Sequence, residues 1–317
     1  MATGLNITTT YAGEFAGEYI GAALLSGSTL NQNLITIKPN VKDKEVIKVV
    51  DYTSAIADAT CGFQDTGSVA LTERILDPKE LQVNLELCKT PFQSDWEAES
   101  MGFSAHDNMP PKFSDFFIAR VSADVARAVE TAVWSGAGGI GSNDFKGFTT
   151  LFAEAEFTTD GGVTIAPAVV TPANVITELG KVVDGINSAL YGKEDMVIYI
   201  SQNIQRAYVR ALGGFGSFLN AENNSGVNTQ GTMWYQNGGS LSFDGVTLVV
   251  AQGLADDRMV AGQKSNFFFG TGLLSDQNEV KIIDMADIDG SKNVRFVMRY
   301  TAGVQYGIAS DIVYYGA

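Results

Sequence analysis

The chain of 317 residues holds one histidine, two cysteines, seven prolines and only 18% charged residues. One histidine, His106, excludes any metal site or triad that needs two histidines from one chain. It sits in "GFSAHDNMPPKF", which reads as a loop. Cys61 and Cys88 make no disulfide framework, and no Cys-x-x-Cys spacing supports zinc. A reducing compartment is the expectation. No apolar run approaches the ~20 residues of a bilayer-spanning helix. The opening stretch, "MATGLNITTTYAGEFAGEYIGAALLSGSTL", lacks the basic region of a signal peptide. Bases are scarce as well: 21 against 36 acids, a net charge of −15. Such a field repels phosphate and argues against a dedicated nucleic-acid binder. It is compatible with a protein that surrounds nucleic acid without gripping it. The charged share is lean beside the roughly 25% of an average domain. A chain of this kind is expected to cover much of its outside with partners.

The motifs that could carry chemistry are weak. "GAGGIG" (136–141) satisfies G-x-G-x-x-G, but that motif needs a strand before it and a helix N-terminus after it. Here it follows a helix, and "SNDFKGF" is not expected to open one. "DMADIDG" (284–290) clusters carboxylates, yet an EF-hand starting at Asp287 would need an acid where Met298 stands. It reads as a solvated acidic turn. No catalytic residue, metal site or cofactor site is assigned.

The length suggests two packed units rather than one small core. Residues 1–37 contain no Lys or Arg and read as an extended arm, with one short helix near Glu14 to Leu25. "VIKVVDYTSAIADATCGFQDTGSVALTERIL" (46–76) reads as strand, tip, strand. Each strand taken alone mixes apolar and polar residues on both sides. A lone hairpin is marginal in water, so this one needs something to lie on. "LQVNLELC" alternates Leu81, Val83, Leu85 and Leu87 with polar residues, the mark of a half-buried strand.

"KFSDFFIARVSADVARAVETAVWSGAGG" is the strongest helix. Ser114 is its expected cap, with Asp115 in the first turn. Ile118, Val121, Val125, Val129 and Val133 form its apolar stripe, and Arg120, Asp124, Arg127 and Thr131 lie on another face. A second helix is expected from Thr171, with Ile176, Leu179, Val183, Ile186 and Leu190 inward, closing before Gly192. "MVIYI" (196–200) is a buried strand. Ser201 then caps a third helix with Ile204, Tyr208 and Leu212 inward. Residues 215–245 read as a Gly- and Asn-rich loop. "VTLVVAQGL", "SNFFFGTGLL" and "VRFVMRYTAGVQYGIASDIVYYGA" read as strands.

The order of these pieces resembles the major capsid proteins of tailed bacteriophages, the Hong Kong 97-type fold. "SGAGGIGSNDFKGF" is similar to the exit of that family's spine helix, ending in an Asn/Asp-x-x-Gly-aromatic step. "NVITELGKVVDGINSALYGKEDMVIYISQNIQRAYVRAL" is similar to its axial helix–strand–helix unit. "DGVTLVVAQGLADDRMVAGQKSNFFFG" and "VRFVMRYTAGVQYGIASDIVYYG" are similar to the strands that follow and close it.

The resemblance implies an α+β fold in five parts. These are an N-terminal arm (1–45), an extended hairpin loop (46–90), a peripheral domain with the spine helix (91–170), an axial domain with connecting strands (171–290) and closing peripheral strands (291–317). It implies a non-enzymatic coat protein whose hexamers and pentamers form an icosahedral shell around double-stranded DNA, assembled in a bacterial host and resident in the virion. Partners would be further copies of the chain, portal and decoration proteins and a separate scaffolding protein, since the arm is too short to be a fused scaffold. No membrane is involved. The hairpin would lie across a neighbouring subunit. Inter-subunit contacts are then expected at Tyr52, Ile56, Phe63, Gln64 and Arg74, and at Arg120 and Arg127 of the helix. Two alternatives remain: an encapsulin-type shell, and a carboxylate-dependent α/β enzyme or ligand-binding protein.

Overall fold

The computed structural model describes residues 28–41, 43–53, 58, 61–62, 67–88, 111–138, 144–212, 241–272 and 281–316. Helix α1 (Ser28–Asn31) and strand β1 (Thr36–Pro39) precede the hairpin strands β2 (Glu45–Thr53) and β3 (Ser68–Leu76) and strand β4 (Lys79–Cys88). The long helix α2 (Pro111–Ser135) leads through α3 (Phe148–Phe152) and α4 (Ala155–Thr159) to β5 (Val163–Ile165). Next come α5 (Val175–Asp184), β6 (Met196–Ile200), α6 (Gln202–Leu212), β7 (Ser242–Phe243), β8 (Val246–Val250) and β9 (Met259–Gln263). The chain closes with β10 (Phe267–Thr271), β11 (Lys281–Asp284), α7 (Ala286–Asp289), β12 (Asn293–Tyr306) and β13 (Val313–Tyr315). The architecture is α+β.

Alternation along β12 builds the first sheet. Val294, Phe296, Met298, Tyr300, Ala302, Val304 and Tyr306 are all buried, while Arg295 and Arg299 between them face out. That is the period of two of a pleated strand with one wet face. β12 pairs antiparallel with β4, β10 and β11, and β1 joins β10 in parallel. In β4, Leu81, Val83 and Leu87 are half-buried as alternation predicts, but Leu85 is 41% exposed.

The second sheet runs β5-β13-β9-β6-β8-β7 and stands between two apolar cores. Every residue of β6 is buried. Val197 and Tyr199 point into one core, shared with α2 and β12. Met196, Ile198 and Ile200 point into the other, shared with α5 and α6. β9 and β13 divide their side chains the same way, with Val260 and Tyr314 in the first core and Met259 and Tyr315 in the second. Period-two geometry thus lets one sheet seal both cores. The turn from β7 to β8 is Asp244-Gly245, both at positive φ (49° and 81°). That is the tight hairpin turn which Asp-Gly favours. The expected loop of residues 215–245 therefore ends in a strand; residues 213–240 lie outside the described residues.

Local expectations need several corrections. In α2, Val121, Val125, Val129 and Val133 are buried as the stripe predicts. The helix opens at Pro111, however, so Ser114 and Asp115 are helical residues and not its cap and first turn. Proline has its φ preset for a first helical position, where its missing N–H is no loss. α5 opens at Val175 behind Asn174, while Thr171 and Pro172 stand in the preceding turn. It ends at Asp184, and Ile186 and Leu190 pack from the turns beyond. Ile176 is 41% exposed, because the helix turns Val175, Leu179 and Val182 inward and Ile176 stands roughly 100° away from Val175. Ser201 precedes α6 as expected, but its Oγ donates to Asn203 Oδ1, and it is Asn203 Oδ1 that accepts from the Ile204 amide (2.9 Å). Phe148, the last residue of "SNDFKGF", does open a helix, the short α3. The helix expected near Glu14 to Leu25 lies outside the described residues, as does His106.

Candidate assembly surfaces

Pairing resolves the mixed pattern of the hairpin. Val46 stands opposite Ile75, Lys48 opposite Glu73, Val50 opposite Leu71 and Tyr52 opposite Val69. Residues directly opposite share a face. One face therefore collects Val46, Val50, Val69, Leu71 and Ile75, exposed by 41, 58, 74, 56 and 51%. The Lys48–Glu73 rung crosses its middle. Neither strand alone reveals this, since each contributes only half of the face. The other face holds Ile47, Val49, Thr72 and Arg74, and only its root is buried: Ile47 and Leu76 pack with Val41 against Phe268.

Arg74 fixes that root. Its Nε donates to the Gly307 carbonyl (3.0 Å), and its two terminal nitrogens pair with Glu156 (3.3 Å) and Asp160. The guanidinium also lies over the Tyr306 ring, 4.2 Å from the centroid. With a side chain 11% exposed, Arg74 is engaged within its own chain. The physical reason is its face: it shares the inner side of the hairpin with Ile47. Burial holds the Tyr306 phenol up at about 12; Glu156, Asp160 and Glu154 push the same way and Arg74 opposes them.

A second anchor ties the segment before β1 to the long helix. Glu130 is 4% exposed and accepts hydrogen bonds from Ser28 Oγ (3.0 Å), the Thr29 amide (3.1 Å) and Thr29 Oγ1 (2.5 Å). Trp134 Nε1 donates to Thr29 Oγ1 (2.9 Å), and the Tyr199 hydroxyl donates to the Leu34 carbonyl. Residues 28–35 thus belong to the core; Leu30, Leu34 and Ile35 are buried in it.

The exit of α2 explains the Asp-x-x-Gly-aromatic step. Asp144 accepts from the amides of Ala137 (3.0 Å) and Gly138 (3.1 Å). Thr149 Oγ1 and Thr150 Oγ1 donate to the carbonyls of Trp134 (2.8 Å) and Gly136 (2.7 Å), satisfying acceptors that a helix end leaves open. Gly147 returns against Gly136, its N–H donating to the Gly136 carbonyl (2.8 Å). A Cβ on Gly147 would stand 2.5 Å from the Ala132 oxygen, so no other residue fits. Phe148 then enters the core, 5.5 Å from Trp134.

Beside α2 runs a groove of about 610 Å³, lined by Leu81, Ala128, Val129, Ala132, Phe145 and Tyr300. Asp124 and Arg127 lie on its rim, 3.3 Å apart, with the Arg127 side chain 82% exposed. Of the expected contact residues, Ile56, Phe63 and Gln64 lie outside the described residues, as do the side chains of Tyr52 and Arg120. Sequence reading missed Val69, Leu71, Glu130 and Thr29. Aligning the two hairpin arms about their tip would have found the first two; no local signal marks the others.

Chemistry finds little footing. Among the described residues no group of three or more His, Cys, Asp or Glu could hold a metal ion. In the acidic turn, Asp284 accepts from the Ala286 amide (3.0 Å) and Asp289 from the Ser291 amide (2.9 Å). Cys61 and Cys88 are both exposed and in no disulfide. Among the described residues no helix is long and apolar enough to cross a membrane.

No protein-family model matches the sequence, and no curated protein matches it either. Solved structures do. The chain is 12% identical to the capsid chain of an empty GTA particle, covering 100% of this chain and 95% of that one with a TM-score of 0.56. It is 15% identical to a chain of Gordonia phage Cozz, covering 99% and 98% with a TM-score of 0.56. It is 11% identical to the capsid chain of Myoviridae phage XM1, covering 92% of each with a TM-score of 0.55. The fold is therefore that of phage capsid chains, the Hong Kong 97-type fold that the order of sequence elements implies.

Proposed function

We propose that this chain is the major capsid protein of a tailed bacteriophage. Its copies form the hexamers and pentamers of an icosahedral shell that encloses double-stranded DNA without sequence-specific contact. The shared fold supports this reading, and one observation carries it: five large apolar side chains stand exposed on one face of a two-stranded hairpin. A hairpin is unstable in that state unless another surface covers it. The net charge of −15 suits a wall that should release its cargo. The chain acts structurally, not as an enzyme. It assembles in the host cytoplasm with a separate scaffolding protein, joins a portal and decoration proteins, and ends in the virion.

The parts follow the same reading: arm 1–45, hairpin loop 46–90, peripheral domain 91–170, axial domain 171–290 and closing strands 291–317. Tyr52, Ile56, Phe63, Gln64, Arg74, Arg120 and Arg127 meet neighbouring subunits. Negative-stain microscopy of the purified chain, expressed with its scaffold, should show closed shells. Deleting Ser54 to Ser68 should leave a folded subunit that forms none. Normal shells from that deletion would remove the hairpin from assembly. Particles filled with protein cargo and no DNA would point to an encapsulin-type compartment instead.

A further inference from the structure

We propose that the Arg74 cluster is a latch that fixes the angle at which the β2–β3 hairpin leaves its own subunit, and through that angle the diameter at which the shell closes. This rests on the coat-protein reading and adds what sets the geometry of the contacts.

The hairpin is a lever with one restraint at its pivot that acts on angle. At the pivot, Ile47 and Leu76 pack with Val41 against Phe268, and Gln305 Nε2 donates to the Ile75 carbonyl (2.9 Å). Next along the strand stands Arg74. Its bonds to Gly307, Glu156 and Asp160 are the outermost from the described residues of β2 and β3 to the body. From there a cleft of about 400 Å³ separates hairpin from body, with Val49 and Thr72 on one side and Ile308, Ser310 and Asp311 on the other.

The charges of that cleft make Arg74 decisive. Its lining holds four acids, Glu73, Glu156, Asp160 and Asp311, and Arg74 is its only base. Without the guanidinium the body presents carboxylates to a hairpin that offers them no partner, and nothing draws the two together. Six residues run from Arg74 to Ser68. At ~3.3 Å per residue that lever is roughly 20 Å long, so a turn of about 10° at the latch moves its far end by roughly 3.5 Å. Identical copies joined through unlike patches close only when the rotation at each contact is the right one. A shift of this kind, repeated in every copy, changes that rotation and so the number of copies at closure.

The latch is read first in the unassembled subunit. In a Cys61→Ser, Cys88→Ser background, spin labels on Val69→Cys of the hairpin and Thr158→Cys of α4, both exposed positions, report the hairpin angle by pulsed electron–electron double resonance. Wild type should give one narrow distance. Glu156→Gln with Asp160→Asn removes the latch partners at exposed positions, so the circular dichroism should not change. This double variant should broaden the distance at least about twofold through the lost charge-assisted bonds. Arg74→Ala should broaden it further, with Arg74→Lys between the two extremes. Shells of the double variant, sized by negative stain and light scattering, should span several diameters where wild type gives one. If it closes no shell, Arg74→Lys is sized in its place, and failure of both to close makes the latch a condition of assembly and overturns the claim on size. An unbroadened distance in both the double variant and Arg74→Ala overturns the latch. A broadened distance with shells of one diameter overturns the link to size. A wild-type chain that forms no shell overturns the coat-protein reading and the claim on size together, whereas the label distances judge the latch in either case.

Discussion

The guanidinium carbon of Arg74 lies 4.2 Å from the centre of the Tyr306 ring, joining the root of the hairpin to the end of β12. The same side chain pairs with Glu156 and Asp160 on and beside α4. One residue thus sets how the hairpin leaves the body. Arg74→Ala should destabilise the chain by about 1–3 kcal/mol through the lost stacking and charge-assisted bonds. Arg74→Lys keeps the charge without the planar fork and should fall between. Urea denaturation measures both. An unchanged midpoint for Arg74→Ala would show that the hairpin root is held by Ile47 and Leu76 alone.

Glu130 is the reverse case, a buried carboxylate satisfied by neutral donors. Glu130→Ala strands the Thr29 amide and hydroxyl in the core. The expected loss is about 2–4 kcal/mol, with early protease cleavage near residues 28–35. A variant as stable and as protease-resistant as wild type would mean that Leu30 and Leu34 hold the segment unaided.

Much of this architecture is legible in the sequence, and what is not has a common cause. The stripe Val121, Val125, Val129 and the alternation of β12 follow from periods that one segment carries by itself. The hairpin face does not, because Val50 acquires its meaning only opposite Leu71. The intramolecular partners of Arg74 are not legible either, since nothing near it in sequence predicts Glu156, Asp160 or Tyr306. Glu130 likewise reads as one more polar helix position until Thr29, 101 residues earlier, donates to it. Periodicity reports burial within an element; pairing partners across the chain belong to the fold.

The two faces of α2 should respond oppositely to charge. Val125 is 6% exposed, and Val125→Asp puts an unpaired carboxylate in the core, a cost of several kcal/mol. It should prevent folding. Arg127→Glu should leave the circular dichroism spectrum unchanged and reduce only particle yield. If Val125→Asp folds, the helix register is wrong; if Arg127→Glu unfolds the subunit, that arginine belongs to the intramolecular core.

Cys61 is exposed near the hairpin tip and should stay a thiol in particles. Non-reducing electrophoresis should show monomer alone. A ladder that collapses with reductant would reveal a bridge between subunits.

The tyrosines set the alkaline limit of the fold. Burial raises the phenols of Tyr199, Tyr208, Tyr300, Tyr306, Tyr314 and Tyr315 above their ordinary value. For Tyr306 it reaches about 12, against roughly 10 in an unfolded chain. A raised phenol means that the folded state holds its proton longer than the unfolded state does. The stability linked to it is therefore complete below pH 10 and is lost as pH rises through the folded value. For Tyr306 alone the loss is about 3 kcal/mol once the pH exceeds 12. At neutral pH none of these groups contributes any pH dependence. An alkaline titration that follows tyrosinate absorbance and circular dichroism together should find the buried phenols ionising only as the fold is lost, in one cooperative step above pH 10. Buried tyrosines that ionise near pH 10 with the fold intact would show that water reaches the Tyr306 and Tyr199 rings, and the two-core packing around the central sheet would have to be redrawn.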